Sequence, residues 1–544
     1  MTNSKKDNII NMILSGILVA AFFAYVICCL GIWYRTNDDA IISNIAFGSY
    51  GPDRVHLVYV NIIYGMLLRA LFYINENLNW FMLSQLFLLY ISASTLTYYG
   101  LKRFGRIKGL LISATLILAF GSSVLYRIQY TQTGALAICT GLIVLFENLG
   151  RKSNANIYGI AFVLLGSMLR FDMFIAVGGI SACLLLTKFI SLEKEKKFQA
   201  VKIAAVMFAV VFGTKIIDRA VYKSDRDWAE YLAYNSARTS FSDFKRNFLT
   251  EENSLNNVTD AEFAQLTSWD FYDPENFNAE RLTEISDSIP GYGIKGAVSA
   301  CVKELYYVSQ KPFVRALAAV LFLSVAFAIL NLKIFTIFVT LILTGREVFL
   351  LCYLNRLPSW VEVSLSMALS VFLLAATAYN DKKNILNSKV FVIVTILLFA
   401  VNYQYLMPNY GYLAAGKGDM EALAQSEEKY MHAMSADKEH LYMLSTVKTN
   451  EINGYDIWHP REKNFFSNIA TFGGWYNGSP QYKETLKNYG VENPMTDIVN
   501  REDIYVDYHN IENICSYISE KTGEIVVAAA EGDNRFAPYH IITE

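Results

Sequence analysis

The 544-residue chain is 53% hydrophobic and only 18% charged, with a net charge of -2. A water-soluble surface of this size needs more charge than that, so an ordinary soluble enzyme is excluded. The near-neutral balance also leaves no basic footprint for nucleic acid.

In chain order, apolar runs predict about eleven helices able to cross some 30 Å of hydrocarbon, at 9–33, 79–99, 109–126, 130–147, 156–169, 172–189, 200–217, 313–331, 333–351, 360–379 and 388–406. The first run is too long for a signal-peptide core and no A-x-A pattern follows it, so it reads as a retained helix. Only Arg170-Phe171-Asp172 separates the fifth run from the sixth, and only Asn331-Leu332-Lys333 the eighth from the ninth. The basic residues then share one side. Lys5 and Lys6 precede the first run, and Lys102–Lys108, Arg151–Lys152, Lys188–Lys202, Lys333 and Lys382–Lys389 fall in alternate turns. The positive-inside bias makes that side the cytoplasm and puts the N-terminus there, in a multi-pass protein of the cell membrane. The assignment requires that Leu57–Ile74 not span. It carries Asn61, Arg69 and several tyrosines, and reads as a helix lying in the outer interface.

Three segments then lie outside: a first loop at 34–78, a large loop at 218–312 and a C-terminal domain at 407–544. In the last, Asp419–Met434 has helical spacing, while Leu441–Ser445, Ile504–Tyr508 and Ile525–Ala530 look like strands. The expected fold is a polytopic α-helical membrane domain over 1–406, with interfacial helices in its first external loop, followed by a small extracytoplasmic α/β domain. The aromatic-rich large loop and the C-terminal domain are expected to pack together above the first loop.

The seven cysteines include no C-x-x-C, and five lie in or beside apolar runs, where they act as small fillers. The six histidines have no metal spacing, and no P-loop, H-E-x-x-H or G-x-S-x-G is present. The sequon at Asn257-Val258-Thr259 carries no weight, since chance matches are common.

Chemistry concentrates at Thr36-Asn37-Asp38-Asp39, just beyond the first span. The bland reading is the solvated start of a helix over Asp38–Phe47, with acids in its first turn. Its surroundings favour more. The turn at Gly51-Pro52 is expected to fold Asp53, Arg54 and His56 back toward the acids. Arg127, Arg170 with Asp172, and Arg356 lie at the outer ends of spans, and Arg346 with Glu347 lies within one. Ionisable groups at that depth usually face a bundle interior or cavity. Arginine's forked guanidinium suits a phosphate. The expected phosphate site is therefore Arg54, His56, Arg127, Arg170, Arg346 and Arg356, set around an acidic pair at the membrane surface.

A first span, an external loop opening on an acidic pair (here Asp38-Asp39), an interfacial helix (Leu57–Ile74) and a second span (Trp80–Tyr99): this order resembles the GT-C superfamily of membrane glycosyltransferases over roughly the first 220 residues. The resemblance is to its bacterial members and, more distantly, to protein O-mannosyltransferases and aminoarabinose transferases. More narrowly, Asn37-Asp38-Asp39, Asn235-Ser236-Ala237-Arg238, Ser242-Asp243-Phe244, Asn355-Arg356-Leu357-Pro358 and Gly473-Gly474-Trp475 with Ser479-Pro480 are similar to a group of Firmicutes-type membrane proteins. The broader resemblance implies inverting transfer of a sugar, a hexose by preference, from a polyprenyl-phosphate donor to an extracytoplasmic glycan, lipid or protein, as in cell-envelope polysaccharide biosynthesis. It makes Asp38 the general base. Asp39 stands where relatives often have Glu, which leaves open which acid acts. Relatives mostly need no nucleotide donor and many need no metal, so a divalent cation is the one cofactor left open. Arg238 and Trp475 are the acceptor-binding candidates, with Trp458 a further ring able to stack on sugar. A polysaccharide polymerase or a flippase for lipid-linked glycans uses similar parts. A non-catalytic receptor leaves the acids and arginines without a role.

Overall fold

The computed structural model describes residues 2–245, 258–291, 293–331, 334–379, 388–446, 457–508, 510–530 and 538–544. Asn257, Leu332, Lys333, Lys382 and Lys383, on which parts of the sequence reading rest, lie outside the described residues. The chain is a polytopic helical membrane protein. Among the described residues nine helices are long and apolar enough to cross a membrane, and ten if a bent pair, Ile294–Ser309 with Val314–Ile329, counts as one more.

The helices of the membrane part are α1 (Thr2–Tyr25), α2 (Asn37–Phe47), α3 (Ile62–Ile74), α4 (Trp80–Phe104), α5 (Arg106–Val124), α6 (Tyr130–Glu147), α7 (Ala155–Leu169), α8 (Phe171–Ile190) and α9 (Lys194–Ser224). The large loop then contributes α10 (Arg226–Thr239), α11 (Asp260–Ser268), α12 (Ala279–Ser288) and α13 (Ile294–Ser309), before α14 (Val314–Asn331), α15 (Ile334–Tyr353), α16 (Ser359–Tyr379) and α17 (Lys389–Ala415). Almost every residue of α6 is buried, which makes it the centre of the bundle. It meets α7 through glycines. A Cβ on Gly141 would sit 2.5 Å from the Gly159 carbonyl, and one on Gly134 2.8 Å from that of Gly166. In lipid, such small-residue contact supplies the packing that hydrophobic burial supplies in water. With 15 residues, α7 is short for a span, yet it runs between the two faces of the bundle beside α6.

Two sets of turns define those faces. On one, Arg106 pairs with Asp7 at 2.5 Å, Arg103 Nε donates to Glu147 at 2.9 Å, and Gly150 lies against Lys196. On the other, the strands β1 (Trp33–Tyr34) and β2 (Arg127–Ile128) pair in parallel and tie the end of the first span to the start of α6. The stretch expected as an interfacial helix at Leu57–Ile74 is helical only from Ile62. Its 13 residues make about 20 Å, short of the hydrocarbon thickness. Asp218 accepts from the Ile62 N–H at 2.9 Å and Asn61 from Ile63 at 3.0 Å, so both capping bonds at the start of α3 are made. Asp218 itself lies on α9, which continues to Ser224 rather than ending near residue 217.

From α17, which contains Pro408, the chain passes across Gly416 into α18 (Lys417–Ala436), and Lys389–Ala436 makes one helical stretch of 48 residues. The C-terminal segment then folds as β3 (Leu441–Leu444), β4 (Ile469–Thr471), α19 (Pro480–Asn488), β5 (Ile504–Asp507), α20 (Ile511–Thr522), β6 (Val526–Ala530) and β7 (Tyr539–Thr543). The sheet order is β4-β3-β5-β7-β6, parallel across its first three strands and antiparallel beyond. The sequence showed no sign of β4, which is three residues long, or of β7. One hydrophobic core joins Phe241, Phe271, Phe277 and Leu282 of the large loop to Met443 and Val506 of the sheet and Tyr517 of α20. The two segments thus form one body, and it rests on the first loop. Phe466 N–H donates to the Ser49 carbonyl at 2.9 Å, and Gln481 Nε2 to that of Asp53 at 2.9 Å.

Candidate functional site at the membrane face

Asp38 and Asp39 open α2, and their environments differ. Asp39 is wholly buried. Its Oδ2 accepts from the Thr36 hydroxyl at 2.8 Å and its Oδ1 from the Tyr130 N–H at 2.9 Å, so it holds the first turn of α6. Burial pushes its carboxyl well above the usual range, those two hydrogen bonds pull it down, and Asp38 adds to the rise. Both oxygens are spent on the fold.

Asp38 is half-buried and faces a ring of groups from distant segments. Burial raises its carboxyl above the usual carboxylate range. The Trp475 indole N–H and the Arg170 charge act against the rise, Asp243 adds to it, and Arg238 opposes it. The Trp475 indole N–H is buried and makes no completed hydrogen bond. β4 and the Gly473-Gly474 turn after it carry Trp475 here. The Tyr231 hydroxyl donates to its carbonyl at 2.5 Å and its ring lies 4.9 Å from that of Tyr59.

Three guanidiniums complete the ring. Arg170, at the break between α7 and α8, reaches the Tyr130 hydroxyl at 3.3 Å, lies 5.4 Å from the Tyr59 ring and pairs with the exposed Asp172 at 3.2 Å. Arg238 is 3% exposed. It donates to Asn235, Ser242, Tyr59 and Thr239 at 2.9–3.3 Å, all neutral oxygens. Its hydrogen bonds thus go to neutral oxygens alone, while the carboxylates of Asp243 and Asp38 act on it through charge. Arg356, in the turn between α15 and α16, pairs with Asp243 at 2.8 Å. Asn235 and Thr239, which hold Arg238, also line a cavity of about 370 Å³ together with Leu232, Ser236, Ser240 and Phe244. A second, apolar cleft of about 160 Å³ runs between α1, α4, α5, α6 and α16, with Arg103 and Glu147 at one end and Val124 and Leu125 at the other.

Four further candidates lie elsewhere. Arg54 packs on Gly48, at the opposite end of α2 from the acids. His56 bonds Asp53 at 2.6 Å and stacks on Trp228 at 4.5 Å, in the joint between the first loop and α10. The turn does fold this stretch back, but onto the large loop, because Gly48 at φ 102° ends α2 and sends the chain away from its start. Arg127 lies beside Arg35 and against the Tyr126 ring. Arg346 is 68% exposed on the outside of α15, while Glu347 faces Gly179 of α8. Successive helical residues point about 100° apart, so one of the pair faces in and the other out. Trp458 is also outside the ring; its carbonyl accepts from the Asn79 N–H at 3.2 Å.

The structure adds Asp243, Tyr59 and Tyr130 to the site. Asp243 stood in a quoted motif, but only its position opposite Arg356 gives it a role. Among the described residues no group of three His, Cys, Asp or Glu is placed to hold a metal ion. Two carboxylates at the ring, Asp38 and Asp243, stand among three guanidiniums. No protein-family model matches the chain, and no curated protein matches it either.

Proposed function

We propose that the chain is a GT-C-like glycosyltransferase with eleven membrane crossings, its N-terminus in the cytoplasm and its C-terminal domain outside, and that it moves a sugar from a polyprenyl-phosphate donor to an extracytoplasmic acceptor. One observation carries the reading: a carboxyl with a raised pKa, Asp38, shares a membrane-face site with Arg170, Arg238 and Arg356. The basic turns gathered on the opposite face support the orientation.

In this reading Asp38 takes the proton of the acceptor hydroxyl as it attacks the anomeric carbon. The bond from that carbon to the phosphate oxygen breaks, and the electron pair leaves with the lipid phosphate. The guanidiniums of Arg238 and Arg170, aided by Arg356, stabilise the charge growing there. A single displacement inverts the anomeric centre. Tyr59, only partly buried, offers a ring face for a sugar, and the buried Trp475 packs behind it. Asp39 holds α2 and α6 in place and takes no part in proton transfer.

The test is purified protein in nanodiscs with a polyprenyl-phosphate hexose and an envelope-glycan acceptor, read by release of polyprenyl phosphate and by anomeric configuration. Transfer that is undiminished in Asp38→Asn sinks the reading. The apolar cleft through the bundle favours a second one, movement of a lipid-linked glycan between leaflets. Loss of transfer with intact lipid movement across a vesicle bilayer separates the two.

A further inference from the structure

α13 is divided into three sectors along its length. Ala297, Cys301, Glu304 and Val308 form the most enclosed sector. That sector meets the outer ends of α15 and α16, with Cys301 against Cys352 and Glu304 against Glu362. The next sector carries Ile294, Val298, Val302 and Leu305, which are 49–74% exposed. The third carries Lys295, Ser299 and Lys303, all exposed. An exposed apolar stripe beside an exposed basic one, on a helix already anchored along its remaining side, matches a membrane–water boundary.

The chain direction agrees. α13 makes an angle of 102° with α14, the apolar helix that follows it. Near the start of α14, Arg315 lies 3.4 Å from the ring of Tyr405, toward the end of α17 that leads to the C-terminal domain. A helix perpendicular to a span, at the end where that span emerges, lies in the plane of the interface.

We propose that α13 is seated in the lipid surface on the face that carries Asp38. Ile294, Val298, Val302 and Leu305 enter the acyl boundary, and Lys295 and Lys303 meet anionic lipid phosphates. Through Cys352 and Glu362 the helix braces the turn that presents Arg356, and so sets that side chain at headgroup height. The placement does not depend on the transfer reaction.

The test uses the full-length protein in nanodiscs of phosphatidylcholine and phosphatidylglycerol. A diazirine amino acid is placed at Val302 or at Lys303, with Phe335 on α15 and Lys483 on α19 as lipid-facing and water-facing controls. Mass spectrometry then reads lipid adducts after irradiation. The expected result is acyl-chain adducts from position 302 near the Phe335 level, and from position 303 at least tenfold fewer. In the variant Lys295→Glu with Lys303→Glu, co-purified phosphatidylglycerol falls severalfold while phosphatidylcholine is unchanged. Adducts at the Lys483 level from position 302 overturn the proposal, because α13 then stands in water. Equal acyl adducts from 302 and 303 also overturn it, because α13 then dips into the hydrocarbon as half of a broken span. Both readouts are independent of catalysis, so neither failure bears on the glycosyltransferase reading.

Discussion

Arg356 Nη2 lies 2.8 Å from Asp243 Oδ2, joining the α15–α16 turn to the π-helical turn Ser240–Lys245 that follows α10. The pair orients one guanidinium and leaves its other N–H groups available. Arg356→Lys keeps the charge and loses the fork. The expected result is a KM for the lipid donor about tenfold higher, or about 1.4 kcal/mol, with kcat little changed. A double-mutant cycle with Asp243→Asn is expected to give a coupling of about 0.5–3 kcal/mol. A coupling near zero means the two do not meet in the working protein.

The adjacent acids are expected to fail in different ways. Asp38→Asn lowers transfer by about 10²–10⁴-fold and leaves the melting temperature within error. Asp39→Ala strands the buried Tyr130 N–H, which costs about 1–3 kcal/mol of stability. Melting curves in detergent, set beside donor turnover, separate the two. Because burial raises the Asp38 carboxyl, the acid limb of kcat/KM is expected above the usual carboxylate value of about 4. A limb at or below that value contradicts its role as base.

Asp270 makes a pH prediction for the body formed by the large loop and the C-terminal segment. Burial lifts its carboxyl to about 6 against hydrogen bonds from Thr446 and Tyr508, the Thr446 N–H lying at 2.7 Å. The folded state then holds this proton up to a higher pH than the unfolded chain, whose value is about 3.9. Stability from this group therefore falls as pH rises from about 4 to 6 and stays lost above that. Asp270→Asn is expected to flatten that window and to gain up to about 3 kcal/mol at pH 7. Thermal melts from pH 4 to 8 check both.

Gly473 has no room for a side chain. A Cβ there would sit 1.8 Å from the Trp269 carbonyl oxygen. Gly473→Ala forces the turn after β4 away from the Trp269-Asp270 backbone of the large loop, costing about 1–3 kcal/mol, and displaces Trp475 from Asp38. The expected signature is a lower melting temperature together with a loss of turnover larger than partial unfolding accounts for.

Arg346→Ala is expected to leave both stability and donor KM close to wild type, since the side chain is 68% exposed and its contact with Glu347 is 3.5 Å long. A tenfold rise in KM brings Arg346 back to the phosphate site.

The sequence revealed the helical membrane part, because span length and hydrophobicity follow from bilayer thickness alone. It also singled out Asp38, because an acidic pair at a span end is unusual, Arg170 and Arg356 as charges at span ends, and Arg238 and Trp475 as acceptor-binding candidates, and the fold brings these five toward one another. Arg54 and His56 lie apart from the ring because a backbone reversal at Gly48 decides their direction, and a Gly-Pro turn does not say which way it folds. Arg346 lies on the outside of α15, which was not legible because sequence gives depth along a helix but not the facing of each of its sides. Asp243 acquires its meaning only through a partner far away in the chain. β4 is too short to show alternation.

The helical continuity from Lys389 to Ala436 makes the junction at Gly416 a fixed shaft rather than a tether. One residue inserted there lengthens the helix by only about 1.5 Å but turns everything beyond it by about 100°. Trp475 would then be carried out of register with Asp38 by rotation alone. A junction between two parts of a chain, where loops ordinarily accept insertions, is here phase-locked, and its length is as constrained as that of the buried spans.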